Sequence, residues 1–260
     1  KVKKRDVIVK CMYMYFVISV SFSSTHWRMQ ECIKHGDVDG ELKGFDLDLS
    51  NAVCRVAGKK CTYIYRICNS NSADGKFLPG KALETGEVDG CLGNVITPER
   101  EEVFDFSRAY FKTSSNFFVP PGNPRGFSPE NIEGKRIVFF NATYTNMDCL
   151  KRLGLNGAVP LVESGSLSDV KTKVLEGNAD ALFAPRTTIP GVERVPGQYN
   201  CASGAGVMVL KGNADIPTWW NRAFQIVVES GEYKRICDSV AIKYGGYPVR
   251  CFDFQTNVIG

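Results

Sequence analysis

The side chains that most often do chemistry are few and scattered in this chain. Its histidines are His26 and His35, and Cys32-x-x-His35 supplies two of the four ligands that a closed zinc site needs. No GxSxG, HExxH or phosphate-binding loop motif occurs. A general acid is commonly a carboxyl group with a raised pKa, and Glu163 and Asp148 are the acidic candidates, although neither lies in a catalytic motif. The sequence therefore predicts no metal and no other cofactor, and it favours a role other than catalysis.

Cysteine is the other informative residue, because ten cysteines are spread along the 260 residues. None forms a CxxC pair, so zinc-ribbon and thioredoxin-like interpretations lose their usual spacing. A disulfide framework is favoured over a reduced chain with cysteines packed as small apolar residues. Such a framework needs an oxidising compartment. We therefore predict a secreted, extracellular protein, and the sequon at residues 141–143, with Asn141 as the glycosylation candidate, is compatible with that route.

Composition is that of an ordinary globular protein. Apolar residues make up 43% and charged residues 23%, which argues against disordered, collagen-like and coiled-coil chains. The net charge of +4 arises from 32 basic and 28 acidic residues, a close balance that gives no support to nucleic acid binding. The apolar run at residues 11–22 is too short to span a membrane. We interpret it as part of a buried first strand, in a mature chain whose signal peptide has been removed.

Helical and extended patterns alternate along the chain, which predicts an α/β fold. Residues 45–57 have the apolar spacing of a helix, and Gly58 stands where a helix C-terminus is expected. Strands are predicted at residues 7–20, 61–67, 90–95, 135–140, 181–184 and 206–210, and further helices at residues 145–153, 168–176 and 215–230. The Pro- and Gly-rich residues 120–126 mark a candidate crossing between two lobes.

Several motifs resemble, in the same order, those of the type II periplasmic solute-binding proteins of family 3, the amino-acid-binding type. The same fold forms the ligand-binding core of ionotropic glutamate receptors. GELKGFDLDL at residues 40–49 resembles the turn and first helix of that family. Residues 88–107, which include ITPER and DFS, resemble its most specific motif. Residues 132–138, 206–212 and 231–236 are similar to the start of the second lobe, the return crossing and the closing helix.

The resemblance implies a two-lobed periplasmic-binding-protein-like type II fold with a central ligand cleft that closes by hinge motion. Residues 1–115 and 210–260 would form lobe 1, and residues 116–209 would form lobe 2. The implied partner is a small-molecule ligand with a carboxylate. The sequence identifies no receptor protein as a further partner.

In lobe 1, the resemblance places the ligand carboxylate on Arg100, whose planar guanidinium suits bidentate binding. Backbone groups around Gly93 and Val95 would complete these contacts, although the family usually has Ser or Thr at the position of Val95. Tyr15 falls where the family places an aromatic ring over the ligand, and Tyr13 or Phe16 could serve instead.

In lobe 2, the resemblance places Thr143 and Tyr144 beside the ligand, and a glycan on Asn141 would crowd them. The family has an acidic residue for the ligand ammonium where this chain has Pro185, followed by Arg186. Proline cannot pair with an ammonium group, and Arg186 would repel one and attract an anion. We therefore expect a ligand with two anionic ends, or with one anionic end and an apolar body, in place of a zwitterionic amino acid.

Two other functions stay open at this point. Relatives in the family have acquired dehydratase or other small-molecule chemistry in the cleft, and a ligand-free structural or matrix derivative would explain Val95, Pro185 and the sequon. The resemblance also implies two disulfides, Cys54–Cys61 and Cys201–Cys251. The other six cysteines allow fifteen connectivities, which the sequence does not separate.

Overall fold

The computed structural model describes residues 7–11, 44–64, 66–72, 76–140, 144–244 and 249–254, and for residues 7–11 and Asn71 it describes the backbone alone. These residues form two compact units. Unit 1 comprises the described parts of residues 1–112 and 204–260, and unit 2 comprises those of residues 113–203. The sequence-based boundaries at 115 and 210 differ, because residues 113–115 join unit 2 and residues 204–209 join unit 1.

Helices and strands follow one another through both units. The first part of unit 1 contains β1 (Val7–Cys11), α1 (Phe45–Val56), β2 (Cys61–Thr62), β3 (Asn69–Asn71), β4 (Phe77–Pro79), α2 (Lys81–Glu84), β5 (Gly90–Val95), α3 (Pro98–Glu101) and β6 (Phe104–Phe106). Unit 2 contains β7 (Asn116–Val119), β8 (Arg136–Phe140), α4 (Met147–Arg152), β9 (Val159–Glu163), α5 (Leu167–Leu175), β10 (Ala181–Ala184) and β11 (Glu193–Arg194). The chain then returns to unit 1 with β12 (Ala205–Leu210), α6 (Asp215–Glu229) and α7 (Glu232–Tyr244).

Unit 1 is built on a sheet of strand order β2-β1-β5-β12-β6, with the short hairpin β3-β4 beside it. β1 is parallel to β2 and β5, whereas β12 runs antiparallel to β5 and β6. The apolar stripe of α1 packs with α6 against this sheet around Trp220 and Phe224, both fully buried. The ladder to β5 and β6 is the reason that β12 belongs to unit 1.

Unit 2 has its own sheet, of strand order β11-β7-β10-β8-β9. β8 is parallel to β9 and β10, and β7 is antiparallel to β10 and β11. α5 covers the sheet with Val170 and Val174, which pack on Phe118, Val138 and Leu182. Each unit thus has a hydrophobic core of its own.

Most helices lie where the sequence patterns predict them, and one local prediction was wrong. Within the described part of the predicted strand at residues 61–67, strand pairing is limited to Cys61–Thr62. α6 has Ala214 as its N-cap, and Asp215 is the first helical residue. At this position the Asp215 carboxylate interacts favourably with the positive end of the helix dipole. No helix among the described residues has the length and apolarity needed to cross a membrane.

Four disulfides join eight of the described cysteines. The structure contains the Cys54–Cys61 bridge, between α1 and β2, and a Cys68–Cys91 bridge within the core of unit 1. The prediction of a Cys201–Cys251 bridge was wrong. Cys201 is bonded to Cys149 at the start of α4, and Cys251 is bonded to Cys237 in α7. Each of these cysteines has a partner inside its own unit, so neither bridge joins the two units.

Candidate functional site

β5 contains a bulge next to the residues that the sequence assigns to the ligand. β12 pairs Gly206 with Asn94 and Met208 with Cys91, so Leu92 and Gly93 together stand opposite the single residue Val207. Gly93 has a φ of +69°, in the left-handed region, as one type of bulge requires. A Cβ at this position would also lie 3.0 Å from Asp46 Oδ2. Both features restrict the position to glycine.

A buried polar network satisfies the backbone groups of this bulge. The Gly93 amide donates to Tyr110 Oη at 2.5 Å, and Tyr110 Oη donates to Asp46 Oδ1 at 2.7 Å. On the other side, Asn94 Nδ2 donates to the carbonyl oxygens of Cys91 and Leu92 at 3.2 and 3.1 Å. The side chains of the network are at most 5% exposed. The bulge is therefore stabilised by groups that have no access to competing water.

Burial perturbs the carboxyl group of this network. Desolvation raises the pKa of Asp46 from 3.8 to about 6, and the hydrogen bond from Tyr110 opposes part of that rise. Asp46 is not one of the acidic candidates identified from the sequence.

Asp46 should make the protein relatively more stable in mild acid than at neutral pH. Between pH 3.8 and about 6 the folded chain keeps a proton that the unfolded chain has released. The contribution of Asp46 to the free energy of unfolding therefore falls as the pH rises through this window, by about 3 kcal/mol for the full shift. The free energy of unfolding would be measured in urea for the wild type and for Asp46→Asn. The difference between the two proteins should change by this amount across the pH window. A difference that is constant with pH would contradict the raised pKa.

Arg100 is placed by the segment that follows β5. Thr97 caps α3, with its Oγ1 accepting from the Arg100 amide at 3.4 Å. Arg100 Nη1 donates to the carbonyl oxygen of Val95 at 3.0 Å, and its guanidinium carbon lies 4.9 Å from the centre of the Phe77 ring in β4. The hydrogen bond and the aromatic face hold the orientation of a group with five N–H donors. The structure thus brings Arg100 and Val95, two of the predicted site residues, into direct contact.

The predicted site residues of unit 2 are described in part. Tyr144 is buried and donates its hydroxyl to the carbonyl oxygen of Ser114 at 3.2 Å. The backbone oxygen of Arg186 accepts from Asn116 Nδ2 at 2.6 Å, and Arg194 Nη1 donates to Asn116 Oδ1 at 3.2 Å. These contacts hold the backbone of Arg186 at the end of β10. Three further predictions, Tyr15, Thr143 and glycosylation at Asn141, lie outside the described residues.

The two acidic candidates for catalysis both form ion pairs. Glu163 lies 2.8 Å from Lys173 Nζ, and the exposed Asp148 lies 3.7 Å from Lys151 Nζ on the same helix. Both carboxyl groups are accessible to water, with 28% of the Glu163 side chain and 64% of the Asp148 side chain exposed. The described residues also contain no group of three or more His, Cys, Asp or Glu side chains that could hold a metal ion.

Three residues near the bulge were missed by the sequence analysis. Tyr110 and Phe77 gave no pattern that separates them from ordinary buried aromatic residues. Asp46 did give a signal, because it lies three and seven residues before Leu49 and Val53, on the buried face of α1. An acidic residue on an apolar helix face predicts a hydrogen-bonded partner in the core.

The two α/β units and the placement of Arg100 after β5 agree with the motifs that resemble the solute-binding proteins. Residues 33–240 match the model of the bacterial extracellular solute-binding proteins, family 3. This match covers most of the chain, and the chain belongs to that family. The family and fold class predicted from the motifs are thereby confirmed.

Individual relatives are distant in sequence but similar over most of their length. The chain is 24% identical over 216 residues to the L-arginine-binding protein of Pseudomonas aeruginosa, covering 77% of this chain and 80% of the relative. It is 27% identical over 222 residues to a probable histidine-binding protein of Neisseria gonorrhoeae, covering 81% and 79%. The crystal structure of an arginine transport periplasmic binding protein from Legionella pneumophila has a TM-score of 0.64 at 17% identity, covering 90% of this chain and 99% of that chain.

Proposed function

We propose that this chain is a secreted, extracellular solute-binding protein that recognises a small ligand by a carboxylate group, which Arg100 binds. The observation on which this rests is the placement of Arg100 by the Val95 carbonyl oxygen and the Phe77 ring. A guanidinium held in this way loses little conformational entropy when it binds, and its planar donors match a carboxylate.

The names of the relatives support the same ligand group. Arginine and histidine, which those relatives are named for, differ in their side chains and share an α-carboxylate. A residue that recognises the shared group would serve several ligands of the family. We therefore assign the carboxylate contact to Arg100 and leave the rest of the ligand to other residues.

The remainder of the ligand is proposed to differ from that of an ordinary amino acid. The side chain at position 185 is a buried proline, which offers no charge to an ammonium group, and the adjacent Arg186 is cationic. Val95 supplies no hydroxyl group where the family usually has one. These residues favour a second anionic group or an apolar body over a free ammonium group.

Four disulfides support the proposed compartment. Each bridge closes within one unit, and together they include Cys68, Cys91 and Cys149, which are fully buried. Disulfides of this number persist in oxidising surroundings and are rare in reduced ones. They are the basis for proposing an extracellular location for this particular chain.

A matched ligand panel tests the proposal. Thermal unfolding and isothermal titration calorimetry would compare L-arginine, L-histidine and L-glutamate with succinate, α-ketoglutarate and an apolar keto acid. Each compound would also be compared with its own amide or ester. We expect a carboxylate without a free ammonium group to bind most tightly and to raise the melting temperature. Tight binding of a plain α-amino acid would contradict the ligand class. Equal binding of carboxylates and their neutral derivatives would contradict the function itself.

A further inference from the structure

The buried network behind β5 joins the core of unit 1 to the proposed ligand site. We propose that Asp46 and Tyr110 are positioning residues: they hold the β5 bulge, and the bulge sets where the Val95 carbonyl oxygen and the Arg100 guanidinium lie. The importance of this for ligand binding rests on the function proposed above. The positioning itself is a property of the chain that can be measured without any ligand.

The hydrogen bonds form a continuous path from helix to site. Asp46, in the first turn of α1, accepts from Tyr110, and Tyr110 accepts from the amide of Gly93. Two residues later along β5, the carbonyl oxygen of Val95 accepts from Arg100. A change in the position of Gly93 is therefore passed through a very short stretch of backbone to the group that orients Arg100.

The bulge makes this support necessary. A regular strand would direct each backbone amide into the ladder or to the opposite edge, whereas the left-handed conformation of Gly93 turns its amide toward the core. A buried amide without a partner is costly, so the conformation depends on the Tyr110 hydroxyl group. Without that acceptor, the pairing of β5 with β12 would favour a regular register, and a shift by one residue reverses the direction of every side chain that follows.

Tyr110 is well suited to act as a fixed acceptor. Its side chain is fully buried, and its ring packs against Phe45, Trp220 and Phe224 at centroid distances of 6.2, 6.0 and 6.4 Å. Its backbone oxygen accepts from Tyr233 Oη at 2.6 Å. The hydroxyl position is thus set by the packed core of unit 1, which deforms little.

The amide exchange of Gly93 tests this proposal in the absence of ligand. In Tyr110→Phe, exchange at Gly93 should rise by roughly tenfold to a hundredfold, and the NMR signals of Val95 and of the Arg100 side chain should shift. Asp46→Asn keeps an oxygen acceptor for Tyr110 and should retain most of the protection, whereas Asp46→Leu should lose it. The increase should be largest at Gly93, and amides of β12 such as Val209 should change much less.

Tyr63→Phe is the matched control. Tyr63 also donates its hydroxyl to groups of unit 1, Ser50 Oγ at 3.0 Å and Asn51 Oδ1 at 2.9 Å, but it makes no described hydrogen bond to β5. Tyr63→Phe should lower the free energy of unfolding and should not selectively raise amide exchange at Gly93. Unchanged Gly93 exchange in Tyr110→Phe, or an increase shared equally with Val209, would overturn the proposal. If Tyr110→Phe does not fold, amide exchange at Gly93 would be compared between Asp46→Asn and Asp46→Leu. Equal exchange rates in these two variants would overturn the proposal.

Ligand affinity separates this inference from the proposed function. Once a carboxylate from the panel binds, Asp46→Leu should weaken its binding by about tenfold or more and Asp46→Asn should restore most of it. If no carboxylate binds but the local exchange effects appear, the proposed function fails and the positioning stands. If a carboxylate binds and the exchange effects are absent, the positioning fails alone.

Discussion

Replacing Arg100 by Ala should weaken the binding of a carboxylate ligand by roughly a hundredfold or more, which corresponds to about 3 kcal/mol. The substitution removes the guanidinium group that Val95 and Phe77 orient, and it leaves the ligand carboxylate without its charged partner. Arg100→Lys should have a smaller effect, of roughly tenfold, because an ammonium group keeps the charge and loses the planar pair of donors. Isothermal titration calorimetry measures both.

Arg108 provides a control for this prediction. It is an exposed arginine of unit 1 whose guanidinium carbon also lies over an aromatic ring, 4.3 Å from the centre of Phe254, and it donates to Gln225 Oε1 at 2.8 Å. Arg108→Ala removes the same charge and a similar cation–π contact away from β5. It should leave the affinity close to that of the wild type. Equal losses in Arg100→Ala and Arg108→Ala would show that only the net charge matters.

Removing the Cys149–Cys201 bridge should cost more stability than removing the other bridges. Its cysteines are 52 residues apart, whereas Cys54 and Cys61 are seven apart. In the chain-entropy description, the longer loop corresponds to about 4 kcal/mol and the shorter loop to about 2 kcal/mol. The double Ser variants Cys149→Ser with Cys201→Ser and Cys54→Ser with Cys61→Ser would be compared by urea unfolding.

Amide hydrogen exchange shows which unit is destabilised when a bridge is removed. The Cys149–Cys201 bridge lies within unit 2, so its removal should raise exchange in β8 and β10 and leave β5 and β12 as in the wild type. Removing Cys54–Cys61 should affect α1 in unit 1. The entropic explanation would be contradicted if removing Cys54–Cys61 lowered the free energy of unfolding as much as removing Cys149–Cys201, or more.

Local patterns in the sequence were sufficient for the helices and for the central motif. The apolar spacing at residues 45–57 gave α1 to within one residue at its C-terminus, and the ITPER segment singled out Arg100. Both depend on residues that are near one another in the chain. The same holds for Cys54 and Cys61, which a helix end and the next strand bring together.

Contacts over long separations were not predictable in the same way. Cys201 and Cys251 each had several cysteines as candidate partners, and only the packing of α4 and α7 selects Cys149 and Cys237. The hydrogen bond between Asp46 and Tyr110 joins residues 64 apart. It exists because α1 and the segment after β6 pack on the same sheet.

A chemical double-mutant cycle tests most directly whether Arg100 binds the ligand carboxylate. The affinities of one panel carboxylate and of its neutral amide would be measured for the wild type and for Arg100→Ala by isothermal titration calorimetry. Groups that contact each other show a coupling free energy in such a cycle. We expect the amide to bind the wild type much more weakly than the carboxylate does, and this penalty should be much smaller with Arg100→Ala. Losses that add independently, with the same penalty for the amide in both proteins, would show that the carboxylate is bound elsewhere.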